Sequence, residues 1–431
     1  MIKIISKIIS EGTDNVFNLG SYIFGIYGVI ICLVVVIAPN KILEVIANGV
    51  VSFLGINLEK NGALGLLLTS GVIIAAITQP AVGSLSDRLN LKMGKRLPFI
   101  IIGGIGTSIS LYTLYFANNF YFLIGSWVLI QFFANLGEGP ANALLKDHVD
   151  NKTFGSASGK FNFLRVAGAL VGLLGSLQFM NIYESSGNKL YFFLAITFLS
   201  MLTLLSTIWS FITLNPPKYS NVKSQKENIR KKTNIKDLII VLITFSITLF
   251  SFTSLQSYAL FLITDVVDVE NVSLMMTGVI IVLGLSVGIS IIPAGKLSDK
   301  YTRKSVLFYG GLTGCISCYL LIIFHSPLMV LLLCSGIGIA VGSMFSTIWA
   351  LTNDVISQEN AGNQIGLLAI GFLVSGIVAR IAGILIDFLN KTSENLGYFS
   401  LLAFAGSCFI LAPLATSLIK ENSNESISNK S

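Results

Sequence analysis

Residues 83–98 read GSLSDRLNLKMGKRLP, and residues 295–304 read GKLSDKYTRK. The first stretch sets Asp87, Arg88, Lys92, Lys95 and Arg96 between two long apolar runs, in a chain that is 53% hydrophobic and only 11% charged. Outward from both knots, nearly uncharged runs of about 20 residues recur, the length that crosses a hydrocarbon core of roughly 30 Å. Twelve spans are expected, near 18–39, 62–85, 97–117, 119–146, 155–182, 189–213, 237–264, 272–294, 304–325, 328–352, 362–388 and 397–419. The expectation is an all-α integral membrane protein with twelve transmembrane helices.

The net charge of +7 is a matter of orientation. With loops assigned alternately to two sides, one side collects the basic residues of 83–97, Lys146, Lys152, the seven Lys/Arg of 218–236, Lys296, Lys300, Arg303 and Lys304. The other side holds Lys41, Lys60, Lys189 and Lys391. Lys/Arg bias of this kind marks the cytoplasmic side. Both termini are therefore expected in the cytoplasm of a plasma-membrane protein, and no nucleic-acid partner is implied. Residues 1–11, MIKIISKIISE, are too short to span and read as an interfacial helix or a frayed terminus, with no cleavable signal.

Polar, basic residues 214–236 divide the chain into bundles at 18–213 and 237–419, flanked by segments 1–17 and 420–431. The bundles look like repeats. Gly83, Leu85, Ser86 and Asp87 correspond to Gly295, Leu297, Ser298 and Asp299 at a shift of 212 residues. Asp147, Gly155 and Gly159 correspond to Asp354, Gly362 and Gly366 at a shift of 207. Two pseudo-symmetric six-helix bundles, related by an axis along the membrane normal, place a site between them.

GKLSDKYTRK resembles the signature of the major facilitator superfamily, Gly-x-x-x-Asp-Arg/Lys-x-Gly-Arg-Arg/Lys, with Thr302 at the later Gly position. The first copy carries four more residues and runs on as GKRLPF, which resembles the form found in sucrose transporters and related glycoside–cation symporters. NLGEGPANALLKD (135–147) is similar to their span-4 pattern, Asn-x-x-Gln-Gly-Pro-x-Arg-Ala-Leu-Leu-x-Asp. The resemblance implies the major facilitator fold and transport by alternating access. There are departures: Gln131 stands where plant sucrose transporters carry an acidic residue, Glu138 replaces the family Gln, and Asn142 replaces the family Arg.

A charged cluster at a helix end also serves as a plain stop-transfer anchor. Duplication of Gly and Asp argues for more. Gly83 and Gly295 permit close helix approach, and Asp87 and Asp299 suit the positive start of a neighbouring helix. The resemblance implies span 11 as the neighbour of Asp87 and, by symmetry, span 5 as that of Asp299. With Arg88, Lys95, Arg96, Lys300, Arg303 and Lys304 pairing to Asp147 and Asp354, two cytoplasmic latches are expected.

Ionisable groups inside spans cost about 2.5 kcal/mol or more unless paired or hydrated. Glu138 of span 4 and Arg165 of span 5 lie at similar depth and are expected to pair, with Lys160 nearby; the pair either couples a cation to transport or only fixes packing. Near the outer side Asp265 is matched with Arg380, in competition with an i, i+7 pair between Arg380 and Asp387. Amides and aromatics suited to a polar neutral solute are Tyr22, Tyr27, Gln131, Asn135, Asn142, Asn162, Gln256, Tyr258, Trp349 and Asn353.

No catalytic constellation, metal-ligand spacing or nucleotide loop is found, so neither an enzyme nor a cofactor is expected. His148 and His325 lack partners in sequence, and Cys315 and Cys318 sit in an apolar span as packing residues. The leading expectation is monomeric, cation-coupled (proton or sodium) uptake of a sugar or glycoside. The alternatives are an exporter of amphipathic compounds and a non-transporting assembly factor or sensor on the same fold.

Overall fold

A computed structural model describes residues 15–46, 49–89, 93–149, 154–214, 235–267, 269–355 and 361–419. The expectations for the first fourteen residues, for Lys92, Lys152 and most of the 214–236 linker, and for the tail from 420 lie outside the described residues. So do the side chains of Lys146, Asp299, Asn353, Asp354 and 361–370.

Hydrocarbon offers no hydrogen bonds, so each apolar run must satisfy its backbone internally and winds into a helix. Twelve result: α1 Ser21–Val45, α2 Lys60–Arg88, α3 Leu97–Tyr115, α4 Phe120–His148, α5 Phe154–Ser186, α6 Lys189–Leu214, α7 Ile235–Val266, α8 Val272–Lys300, α9 Arg303–Ile323, α10 Pro327–Val355, α11 Ala361–Thr392 and α12 Leu396–Thr416. Each contains a window long and apolar enough to cross a membrane. Helix α1 contains a π-turn at Leu33–Ile37, which the periodicity did not announce. A hairpin of β1 (Val51–Phe53) and β2 (Ile56–Leu58) joins α1 to α2. Its two-residue turn puts Leu54 and Gly55 at positive φ, as twisted hairpins require.

The two halves are built alike. In the first, α1 packs on α5 and α6, α2 on α4, α3 on α4 and α6, and α5 on α6. The second repeats every one of these pairings six helices later. Between halves, α2 meets α11, α5 meets α8, and the π-turn of α1 meets α7.

Those inter-half contacts concentrate at the end away from the charged knots. There a Cβ on Gly65 would strike the Arg380 carbonyl oxygen, one on Gly383 the Asn61 carbonyl oxygen, and one on Gly284 would come within 3.0 Å of Leu170. Toward the knots, Gly83, Gly159 and Gly288 would meet no atom of the described residues within 4 Å. Among the described residues, the bundles are closed at one end and splayed at the basic end.

Candidate transport pathway and gates

The closed end is fastened by polar groups from both halves. Lys60 at the start of α2 pairs with Asp265 at the end of α7 (2.5 Å). Asp265 also accepts the Tyr398 hydroxyl proton at 2.7 Å. Asp387 of α11 accepts the Asn61 side-chain amide at 2.8 Å and the Gly62 backbone N–H at 2.6 Å. First-turn N–H groups have no intrahelical acceptor, and the helix start is positive; Asp387 supplies both an acceptor and a negative charge. Lys391 and Glu59 pair above it at 2.8 Å. Asn271 with Asn181, and Ser273 with Glu184, tie α8 to α5.

These contacts correct two expectations. Asp265 pairs with Lys60 and not with Arg380, and Asp387 binds the start of α2 and not Arg380. Among the described residues, Arg380 reaches only the Gly376 carbonyl, at 3.4 Å.

Glu138 and Arg165 do come to the same level but make no ion pair. Tyr27 of α1 stands between them: its hydroxyl donates to Glu138 Oε1 at 2.9 Å, and its ring lies 5.0 Å from the Arg165 guanidinium. Gln79 of α2 donates through Nε2 to Glu138 Oε2 at 3.1 Å and to Asn135 Oδ1 at 2.7 Å. Asn135 in turn donates to the Gln131 carbonyl at 2.7 Å. Arg165 donates to Asn142 at 2.5 Å and to Asn162 at 3.1 Å. Gln131, Asn135, Glu138 and Asn142 share one face because they recur at i, i+4, i+7 and i+11. The result is a continuous polar track along α4. Gln79 was missed, since one amide in an apolar span carries no sign of its partner.

The same face of α10 is different. At the 207-residue shift, Gln131, Asn135, Glu138 and Asn142 become Gly338, Gly342, Phe345 and Trp349. A Cβ on Gly338 would crowd Leu283 and Ser286, and one on Gly342 would crowd Val287 and Ser290, all on α8. Trp349 is 42% exposed and packs edge-on against Phe245, centroids 5.7 Å apart. Gln256 on α7 is partly exposed, with no hydrogen-bond partner among the described residues.

Two of the proposed solute contacts are packing residues here. Tyr22 is fully buried against α4, its hydroxyl 3.4 Å from the Ala134 carbonyl. Tyr258 is fully buried with its hydroxyl on the Arg380 carbonyl. Lys160 and Asn162 are exposed toward the basic end.

The knots at the splayed end hold contacts within their own halves. Arg96 pairs with Asp87 at 2.6 Å and with Asp147 at 2.9 Å, and donates to Ser86 at 2.5 Å. In the second half Arg303 donates to Ser298 at 2.8 Å, the symmetry-related contact. Lys304 donates to the Ile419 carbonyl, and Lys300 lies over the Tyr301 ring. Arg88 is exposed, and Lys95 half-buried. Gly295 faces Ser346 of its own half, while Gly83 meets no atom of the described residues, so among those residues neither glycine is a contact point between halves.

A family model described as the Major Facilitator Superfamily matches residues 29–380. The multi-drug resistance efflux pump PmrA of Streptococcus pneumoniae is 26% identical over 346 residues, covering 80% of this chain and 82% of the pump. The sucrose transport protein SUC4 of Arabidopsis thaliana is 31% identical over 121 residues, 24% of each chain. Among solved structures, a bacterial homolog of the human lysosomal transporter Spinster, in an inward-facing and occupied conformation, superposes with a TM-score of 0.72. It is 15% identical and covers 94% of this chain and 95% of its own.

Proposed function

This chain belongs to the Major Facilitator Superfamily and is a membrane transporter rather than an enzyme, and from that premise we propose that it exports an amphipathic solute by alternating access, coupled to a cation through Glu138. The observation that carries the reading is the unlikeness of the two walls. The α4 face carries buried amides and a carboxylate joined by hydrogen bonds, and the equivalent α10 face carries two glycines packed on α8, then Phe345 and Trp349. A solute with a polar part and an apolar part fits both. The relatives that match over most of the chain include an efflux pump, which supports export over import.

Loop charge puts the basic end in the cytoplasm, so the splayed form is inward-open and loads from inside. The charged knots then act as latches that close in the opposite state, when Asp87 and Asp299 reach the starts of α11 and α5. Coupling follows from the acceptor count at Glu138. An ionised carboxylate accepts from both Tyr27 and Gln79; a protonated one turns one oxygen into a donor. Taking up a proton removes the charge that strengthens both bonds and reverses one of them, which loosens the α1–α2–α4 junction.

A second reading, cation-coupled uptake of a sugar, is favoured by the GKRLPF sequence and the 121-residue likeness to a sucrose transport protein. Proteoliposomes with imposed proton or sodium gradients separate the two. Gradient-driven movement of labelled amphiphiles, with sugars left at background, is expected; accumulation of a sugar instead installs the second reading.

A further inference from the structure

Arg380 lies deep in the helix packing yet keeps accessible surface, as a side chain lining a cavity does. Helical side chains lean toward the helix start, and α11 starts at the open end. The guanidinium accordingly reaches back toward Gly376, where a Cβ would lie 3.1 Å from its Nη1 and 3.8 Å from Val72 of α2. That position is the lower edge of the closed α2–α11 contact.

Its charge is uncompensated. Nε has no hydrogen-bond partner, and no described carboxylate pairs with the group. Asp265 is held by Lys60 and Tyr398, and Asp387 by Asn61 and Gly62. Arg165 also has an unpartnered Nε but differs otherwise, because its Nη donors go to the Asn142 and Asn162 side chains and Glu138 faces it across Tyr27. Glu138 thus offsets Arg165, and nothing described offsets Arg380. A lone charge within a membrane protein is expensive and marks a functional group. Guanidinium is also the side chain whose planar fork matches carboxylate and phosphate.

We infer that Arg380 is the head-group site for an anionic amphiphile, a carboxylate or phosphate monoester with an apolar tail. The inference rests on the amphipathic reading above and narrows it. The tail takes the apolar α10 wall, and the exposed Lys160 and Lys300 at the mouth draw anions inward.

The test is equilibrium binding to the full chain in nanodiscs of uncharged net lipid composition. The probes are dodecanoate, dodecyl phosphate, dodecyl glucoside and dodecyltrimethylammonium. Both anions are expected to bind about tenfold or more tighter than the glucoside, the worth of a charge-assisted hydrogen bond. Arg380→Gln removes that preference and leaves glucoside binding as it was. Should Arg380→Gln not fold, Arg380→Lys, which keeps the charge and loses the fork, lowers anion affinity several-fold. Equal binding of glucoside, a preference for the ammonium probe, or anion preference untouched by either variant overturns the inference. Binding of none of the four overturns the amphipathic reading as well.

Discussion

Helices α4 and α10 hold equivalent places in their halves, and each packs on an equivalent neighbour, α2 or α8. On the first interface the glycine sits on α2: a Cβ on Gly71 would strike Trp127 and Gln131 of α4. On the second the glycine sits on α10: a Cβ on Gly338 would strike Ser286 Cβ and the Leu283 backbone carbonyl of α8. Each interface keeps its close approach through a glycine, on opposite partners in the two halves. What differs is chemistry. The first interface encloses a hydrogen-bonded track ending in Glu138, and the second is close-packed through glycine, which suits helices in lipid. A repeat fold can thus assign a carboxylate and amides to one half and apolar surface to the other without changing its helix arrangement.

Four tests break or sharpen that contrast. The largest effect is expected from Glu138→Gln, which removes the carboxylate of the polar half. Solute accumulation above equilibrium is lost in proteoliposomes while solute exchange persists; accumulation at the parent level would move coupling elsewhere. Next is Asp387→Asn at the gate joining the halves. It weakens charge-assisted bonds worth about 1.5–3 kcal/mol and shifts the population toward outward-open by roughly tenfold, read by thiol labelling of the outer cavity lined by Asn61, Asp265 and Asn390.

A third variant transplants the first interface into the second. Gly338→Gln overfills the α8–α10 contact and costs about 1–3 kcal/mol. Adding Ser286→Gly, which removes the Cβ nearest position 338, recovers about 0.5 kcal/mol or more through coupling. Thermal unfolding of the two single variants and the double reads that coupling, and additivity would refute the close α8–α10 contact. The smallest effect belongs to Asp87→Asn. Asp87 is 64% exposed, and exposed pairs contribute about 0–1 kcal/mol. The inward-open form should stay intact, with a few-fold further loss of the outward-open state, visible in cysteine-accessibility patterns; identical patterns in variant and parent count against the latch.

Helix number and the twofold arrangement were legible because apolar length and the duplicated Gly–Asp knots survive in the linear chain. Depth was legible too: counting residues correctly put Glu138 level with Arg165. Rotation and partner choice were not. Tyr27, 111 residues from Glu138, enters between the two charges only once α1 is packed. Lys60 and Asp265 are 205 residues apart, and Gly62 and Asp387 are 325 apart, so nothing local links them. The Asp265–Arg380 match failed on depth. Asp265 is next to last in α7, while Arg380 lies twelve residues (392 − 380) before the end of α11, roughly 18 Å inward at 1.5 Å per residue.

The central claim is one pathway between unlike walls, open at the basic end and closed at the other. It is tested most directly by single cysteines at Asn142, Asn162 and Asn61 in a cysteine-free background, in oriented membranes. A membrane-impermeant thiol reagent supplied from the basic side is predicted to label the first two and spare Asn61, which the Asp387 contact covers. Labelling of Asn61 from that side, with Asn142 and Asn162 protected, would contradict the account.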